Sequence, residues 1–252
     1  MNRWGWAAAL LTAGGVWAGC GEGGSLPGQA QDKPSVTAPD GSVGLPDIPQ
    51  NQEPGNAQAS TSFWPLTQGS SWTYRIKDPT KGTFDKRVEV LGEQTVPETS
   101  MKAIAVVSRQ PNKDEMSWQL ERDGTVVRLR EEDRKQGKVT QVTTWNPATL
   151  KSLARAQPLG WSYSSDIREL TLADDGTLDD KDKTYVWRVL GVNETVTTPA
   201  GTFTNALRVE RKRGDKLKPD EDRVYWLVPG VGKVRETGER LEELVSYEIK
   251  KP

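Results

Sequence analysis

From residue 63 onward the chain is a succession of short runs rich in Val, Thr, Trp and Tyr. In runs such as 71–76 and 115–121 polar and apolar residues alternate, which places one set of side chains on each face of a β-strand. Gly residues and an Asp-Gly pair separate the runs, and these residue types form turns. The pattern therefore predicts an all-β region of mainly antiparallel strands.

Two local signals refine this prediction. Asp123 and Gly124 stand between two alternating runs, and Asp-Gly accepts the positive φ angles of a type I′ turn, so we expect a β-hairpin there. Residues 147–156 are the one helix candidate, because Asn146 suits the N-cap and Pro147 the first helical position. We therefore expect at most one or two short helices.

The second half of the β-rich region repeats the first. Three segments recur in the same order at a spacing of roughly one hundred residues: 72–74 and 161–163, 90–92 and 189–191, 117–120 and 225–228. Chance similarity produces one such match far more readily than three in register. We therefore expect a duplicated module, with repeats at 63–156 and 157–252. A period this long implies two small domains or two halves of one sheet.

The N-terminus has the features of an export signal. Arg3 precedes an apolar stretch at 7–19 that ends in small residues, and the stretch is too short to span a bilayer permanently. Cys20, the only cysteine, follows it directly. An ordinary secretory signal that leaves a free thiol remains the alternative.

This arrangement resembles the lipobox of bacterial lipoproteins, although Trp17 stands where an aliphatic residue is usual. The resemblance implies that residues 1–19 are a signal peptide and that Cys20 is diacylated on sulfur and acylated on its freed amine. Several acyl chains anchor a protein stably to a bilayer. Gly21 follows the cysteine where inner-membrane lipoproteins have Asp, so the resemblance favours the outer membrane.

Residues 20–62 are predicted to be a lipidated cysteine followed by a disordered tether. Gly, Pro, Ser, Gln and Asp dominate there, and the apolar residues come singly. Such a segment buries too little apolar surface to offset the entropy of ordering. The folded region would then reach well away from the membrane.

Composition excludes several classes of function. The chain has no histidine and a single cysteine, so it lacks the usual general base, the usual zinc ligand and any internal disulfide. Lys and Arg total 34 against 35 Asp and Glu, a balance that does not favour nucleic-acid binding. The acidic run 174–182 fits no EF-hand spacing and is predicted to be a solvated hairpin loop. We expect no metal, no cofactor and no catalytic residue.

Two motifs carry a second resemblance. Pro-Ala-Gly-Thr-Phe at 199–203 and Trp-x-x-Pro-Gly-Val-Gly at 226–232 resemble the core of a family of bacterial lipoproteins without assigned activity. The resemblance covers 157–250 best and implies a strongly curved antiparallel sheet or open half-barrel, similar to lipoprotein carriers and receptors. The motif residues are also explained by turn chemistry, since Pro229 and Gly230 suit a type II turn.

The favoured function is a non-catalytic binding module, anchored in the cell envelope. A curved sheet could present the repeat-equivalent tryptophans to a lipid or another apolar ligand, although tryptophan is also an ordinary core residue. These candidate ligand-facing residues are Trp72, Trp118, Trp161 and Trp226. The alternative is a scaffold that binds an envelope protein, and a remote alternative is a hydrolase with paired carboxylates. A lipid carrier predicts an apolar pocket of several hundred Å³.

Overall fold

The computed structural model describes residues 43–48, 61–215 and 222–251. It contains twelve β-strands and, in these ranges, no α-helix. The strands are β1 (Ser71–Asp78), β2 (Gly82–Thr95), β3 (Lys102–Gln110), β4 (Lys113–Arg122), β5 (Thr125–Lys135), β6 (Lys138–Leu153), β7 (Ser162–Ala173), β8 (Leu178–Thr198), β9 (Gly201–Arg213), β10 (Arg223–Val228), β11 (Gly232–Thr237) and β12 (Leu241–Glu248).

Each strand pairs antiparallel with the next along the chain, and β1 pairs with β12 to close a barrel. The closing register runs from Ser71 opposite Glu248 to Lys77 opposite Leu241. The all-β prediction is confirmed, but the open half-barrel is wrong. Seven residue pairs join the first and last strands, so hydrogen bonds that an open sheet would leave exposed at its edges are made within the barrel.

Two turn signals in the sequence are confirmed, but the loop predicted at 174–182 is shorter, because β8 already begins at Leu178. Arg122 pairs with Thr125 across Asp123 and Gly124, whose φ angles of 52° and 76° match a type I′ turn. At the β10–β11 turn, the Val231 N–H donates to the Val228 carbonyl at 3.1 Å.

The predicted helix at 147–156 is wrong. Residues up to Leu153 continue β6, and Leu150 pairs with Val127 on β5. The Ala148 N–H donates to the carbonyl of Gly44 at 2.6 Å instead of forming part of a helix. Asn146-Pro147 is a cis peptide bond. Pairing with β5 therefore outweighs a local N-cap signal, because propensity is a weak determinant beside tertiary contacts.

The repeated segments lie in strands six apart. The first pair falls on β1 and at the start of β7, the second on β2 and β8, and the third on β4 and β10. Twelve strands in this order would accommodate two halves of six strands each, closed into one barrel. The duplication itself stays a prediction.

The predicted tether is described only in part. Residues 43–48 lie against the barrel, where Ile48 packs beside two buried apolar clusters. The signal peptide, Cys20 and the rest of the tether up to residue 60 lie outside the described residues. No helix within the described ranges has the length and apolar character needed to cross a membrane.

A segment preceding β1 closes one end of the barrel. The Phe63 N–H donates to Ala154 after β6 at 2.9 Å, and Ser62 accepts from Gly230 in the β10–β11 turn at 2.9 Å. The Trp64 indole donates to the Gln119 side chain on β4 at 2.8 Å. The segment thus bonds to β4, to the residue after β6 and to the β10–β11 turn.

Candidate functional site

A cavity of about 80 Å³, partly open to solvent, lies in the barrel, and Trp64 is one of its lining residues. Its wall uses every second residue of several strands, as at Lys86, Val88 and Val90 on β2, and at Glu115, Ser117 and Gln119 on β4. Alternate residues share one face of a strand, so this wall is the inner face of the barrel. The cavity therefore takes its chemistry from inward-facing residues.

A buried carboxylate on β12 pairs with two lysines of the cavity wall. Glu242 is 1% exposed and accepts from Lys86 at 2.5 Å, Lys233 at 2.7 Å and Arg240 at 2.6 Å. Burial would raise the pKa of Glu242, but these three cations lower it well below its ordinary value. Glu242 is therefore ionised at neutral pH.

The two lysines bound to Glu242 also lie over an aromatic ring. Their Nζ atoms are 5.4 Å (Lys86) and 5.0 Å (Lys233) from the ring centre of Tyr74, within the range of cation–π attraction. The Tyr74 hydroxyl donates to the Lys233 carbonyl at 2.8 Å, and burial raises its pKa. Burial would lower the pKa of Lys233, but Glu236 and Glu242 raise it. Tyr74 is therefore neutral and Lys233 charged at neutral pH.

Lys151 on β6 differs from Lys86 and Lys233, which both form ion pairs with Glu242. Its amine has no hydrogen bond or ion pair within the part of the chain that the structure describes, and lies 5.8 Å from the Trp64 ring centre. Burial, followed by repulsion from the Arg128 guanidinium, lowers the pKa of Lys151 to about 7. The wall thus contains one amine that is roughly half protonated at neutral pH.

Glu115 is the one carboxylate of the cavity wall. Burial would raise its pKa, but the cations of Lys151 and Arg128 lower it. Its oxygens, with those of Glu131 and Asp133, lie within 4.8 Å of one another. Arg128 forms an ion pair with Glu131, and Lys113 lies 2.7 Å from Asp133. Because cations of the protein already pair with two of these acids, the cluster does not indicate a metal site.

The charges at the cavity do not cancel when Lys151 is protonated. The charged residues of the wall are Lys86, Lys151, Lys233 and Glu115. Their direct ion-pair partners are Arg128, Glu236 and Glu242. Four are cations and three are carboxylates, which leaves one positive charge. The cavity becomes neutral if Lys151 loses its proton or a monoanion enters.

The tryptophans singled out from the sequence are not brought together here. Trp72 lines the cavity and donates to Val231 at 2.7 Å. The other three are not part of its wall. Trp118 and Trp161 are 2% and 3% exposed, and Trp226 donates to Glu194 at 3.1 Å. Their role as ligand-facing residues stays a prediction.

The lysines of the wall were missed by sequence reasoning. One signal was present, because Lys86 shares a strand face with Val88 and Val90, and a lysine among inward-facing apolar residues is unusual. No such signal marks Lys151, since it lies in the range predicted to be helical. The cavity is also smaller and more highly charged than the apolar pocket expected of a lipid carrier.

No protein-family model matches this chain, and no curated protein sequence does. Two crystal structures are similar to it in part. One is a candidate lipoprotein from Parabacteroides distasonis, 15% identical, which covers 76% of this chain and 100% of its own with a TM-score of 0.39. The other is a candidate exported protein with a YmcC-like fold from Bacteroides fragilis, 13% identical, which covers 75% of this chain and 100% of its own with a TM-score of 0.41. At such scores neither likeness carries functional information.

Proposed function

We propose that this protein is a non-catalytic binding module of the bacterial cell envelope. It is held at a membrane through acylated Cys20 and binds a small monoanion inside its barrel. The observation that carries the ligand class is the amine of Lys151, which lines the cavity beside the Trp64 ring and has no hydrogen bond or ion pair among the described residues. The anchoring part is supported by the resemblance of residues 7–20 to a lipobox.

The size of the cavity limits the ligand. An apolar cavity of about 150 Å³ accepts benzene, and one water needs roughly 10–15 Å³. A cavity of about 80 Å³ therefore suits a ligand of roughly three to six non-hydrogen atoms. The charged lysines and Glu115 of the wall favour a small anion over the apolar ligand expected from the sequence.

The two carboxylates at and next to the cavity wall give little support to the hydrolase alternative. Two-carboxylate hydrolysis needs one acid whose pKa is raised, so that it can donate a proton. The pKa values of Glu115 and Glu242 are both lowered. Both groups are therefore ionised near neutral pH, and neither is suited to act as the general acid.

Acetate is the probe for the anion site. We expect acetate, but not the neutral amide acetamide of the same size, to raise the melting temperature at pH 6. At one hundred times the dissociation constant the stabilisation is about 2.7 kcal/mol, or roughly 5–10 °C for a domain of this size. Differential scanning fluorimetry measures the shift.

The variant Lys151→Met should lose this acetate effect and stay folded, because a buried cation is replaced by an apolar chain of similar length. Lys138→Met is the matched control, since the Lys138 side chain is 77% exposed and outside the cavity wall. In the unaltered protein the acetate shift should decrease as the pH rises through about 7, where Lys151 loses its charge. An equal response to acetate and acetamide would contradict the anion site.

The anchor is tested separately with Cys20→Ser. We expect the unaltered protein to partition with membranes and to carry fatty acid on its N-terminal peptide. The variant should retain its signal peptide or appear in the soluble envelope fraction. Fractionation and mass spectrometry of the N-terminal peptide measure both. Unchanged membrane partitioning and processing of the variant would overturn the anchoring proposal.

A further inference from the structure

Lys151 differs chemically from the other lysines of the cavity wall. Lys86 and Lys233 each bind the Glu242 carboxylate at 2.5 Å and 2.7 Å, so both amines are paired, although burial lowers the pKa of Lys86 as well. The amine of Lys151 has no carboxylate within ion-pair distance in the described ranges, although Glu115 of the same wall attracts it and partly offsets the lowering of its pKa. The Lys151 amine therefore lines the cavity, and in its neutral form it has a lone pair available for reaction.

A neutral amine in a confined cavity is a nucleophile towards carbonyl carbon. Desolvation of lysine beside another cation is a general way of producing such an amine. Here burial supplies the desolvation and Arg128 the neighbouring cation. An exposed lysine, with a pKa near 10.4, has about one thousandth of this fraction of neutral amine at pH 7.

Another part of the wall can hold a carboxylate. Lys86 and Lys233 line the same cavity as Lys151, and each ammonium has three N–H donors, of which Glu242 accepts one from each lysine. A molecule with a carbonyl next to a carboxylate would place its anionic end near the paired lysines and its carbonyl at Lys151. Such a molecule can be as small as five non-hydrogen atoms, which fits the volume estimated above.

We propose that the ligand is a small oxo acid and that it binds covalently and reversibly, as an imine of Lys151. This inference rests on the proposed anion-binding function. The Lys151 nitrogen forms a bond to the carbonyl carbon, and the carbonyl oxygen leaves as water with the two hydrogens of the neutral amine. No oxidation or reduction occurs, and hydrolysis of the imine releases the ligand unchanged.

The test uses glyoxylate with cyanoborohydride, which reduces an imine to a stable secondary amine. The folded protein is treated at pH 7, digested, and mapped by mass spectrometry. We expect carboxymethyl-lysine at Lys151 at a level at least tenfold above Lys138, the exposed internal comparator. Without the reductant the protein should recover its original mass after dialysis.

Two variants separate the covalent step from anion binding. Lys151→Arg keeps the charge but cannot form the imine, so trapping at this position should be lost while acetate still stabilises the protein. Lys138→Arg should leave the trapping at Lys151 unchanged. Circular dichroism establishes whether each variant is folded. If Lys151→Arg does not fold, peptide mapping of the unaltered protein decides whether the imine forms at Lys151.

The outcomes distinguish the two proposals. Acetate stabilisation without carboxymethyl-lysine at Lys151, or labelling spread evenly over exposed lysines, overturns the imine and leaves the anion site. Loss of both acetate stabilisation and trapping overturns both. Preferential trapping at Lys151 that acetate suppresses supports both.

Discussion

Glu242→Gln is expected to lower the free energy of unfolding by about 3–5 kcal/mol, the cost of removing one partner from a buried ion pair. Glu242 is 1% exposed and accepts hydrogen bonds from Lys86, Lys233 and Arg240. Glutamine keeps the shape but removes the charge, and two buried lysines then lack the carboxylate between them. Urea denaturation followed by tryptophan fluorescence measures the difference.

Glu248→Gln is the matched control, because this residue lies on the same strand and its pair with Lys250 is exposed on both sides, with side chains 64% and 49% exposed. Exposed pairs contribute about 0–1 kcal/mol, and we expect a loss in that range. A loss below about 1 kcal/mol for Glu242→Gln as well would show that the network does not stabilise the barrel.

The effect of Glu242 depends on pH with a definite sign. Its pKa in the folded protein lies below the ordinary value of 4.5. The stability it contributes is therefore fully present above about pH 4.5 and is lost as the pH falls through the lower folded-state pKa. The difference between the unaltered protein and Glu242→Gln should shrink over that acidic range and stay constant between pH 6 and 8.

Trp187→Ala is expected to cost about 3–5 kcal/mol, as for other large aromatic side chains removed from a core. Trp187 is 2% exposed and belongs to the apolar cluster that includes Val189 and Leu207. Its ring stacks on Tyr225 with centroids 5.8 Å apart and an angle of 15°. Truncation removes both the packing and the stacking, and chemical denaturation measures the loss.

Trp187→Phe serves as the control for this position. The Trp187 indole N–H has no hydrogen-bond partner among the described residues, so phenylalanine loses volume but no hydrogen bond. We expect a cost of about 1–2 kcal/mol, well below that of alanine. Equal losses for the two variants would indicate that the stacking geometry with Tyr225, and not buried volume, dominates.

The charged network and the cavity depend on each other. Glu242 holds Lys86 and Lys233 in place at the wall, which leaves Lys151 as the group that responds to a ligand. A binding site on strands, with side chains held by buried hydrogen-bond partners, is better ordered than a binding site on a loop. The proposed ligand site is therefore built on strands of a closed barrel, with Trp64 of the N-terminal segment among its lining residues.

Local sequence patterns determined much of the fold, but not its closure. The alternation in 71–76 and 115–121 and the turn at Asp123-Gly124 predicted strands and a hairpin, because these signals depend on neighbours in the chain. The helix predicted at 147–156 failed because pairing of β6 with β5 outweighs a short N-cap signal. The open half-barrel was implied by the resemblance to lipoprotein carriers and receptors, and nothing local in the sequence indicates that β1 meets β12.

The cavity was decided by tertiary structure alone. Composition excluded histidine chemistry and disulfides, and the sequence marked Cys20 and the tryptophans. It could not show that Lys151 lacks a carboxylate partner among the described residues while Lys86 and Lys233 share Glu242, since these residues lie on four different strands. Burial and the charge of neighbours set the state of an amine, and both exist only once the barrel has closed.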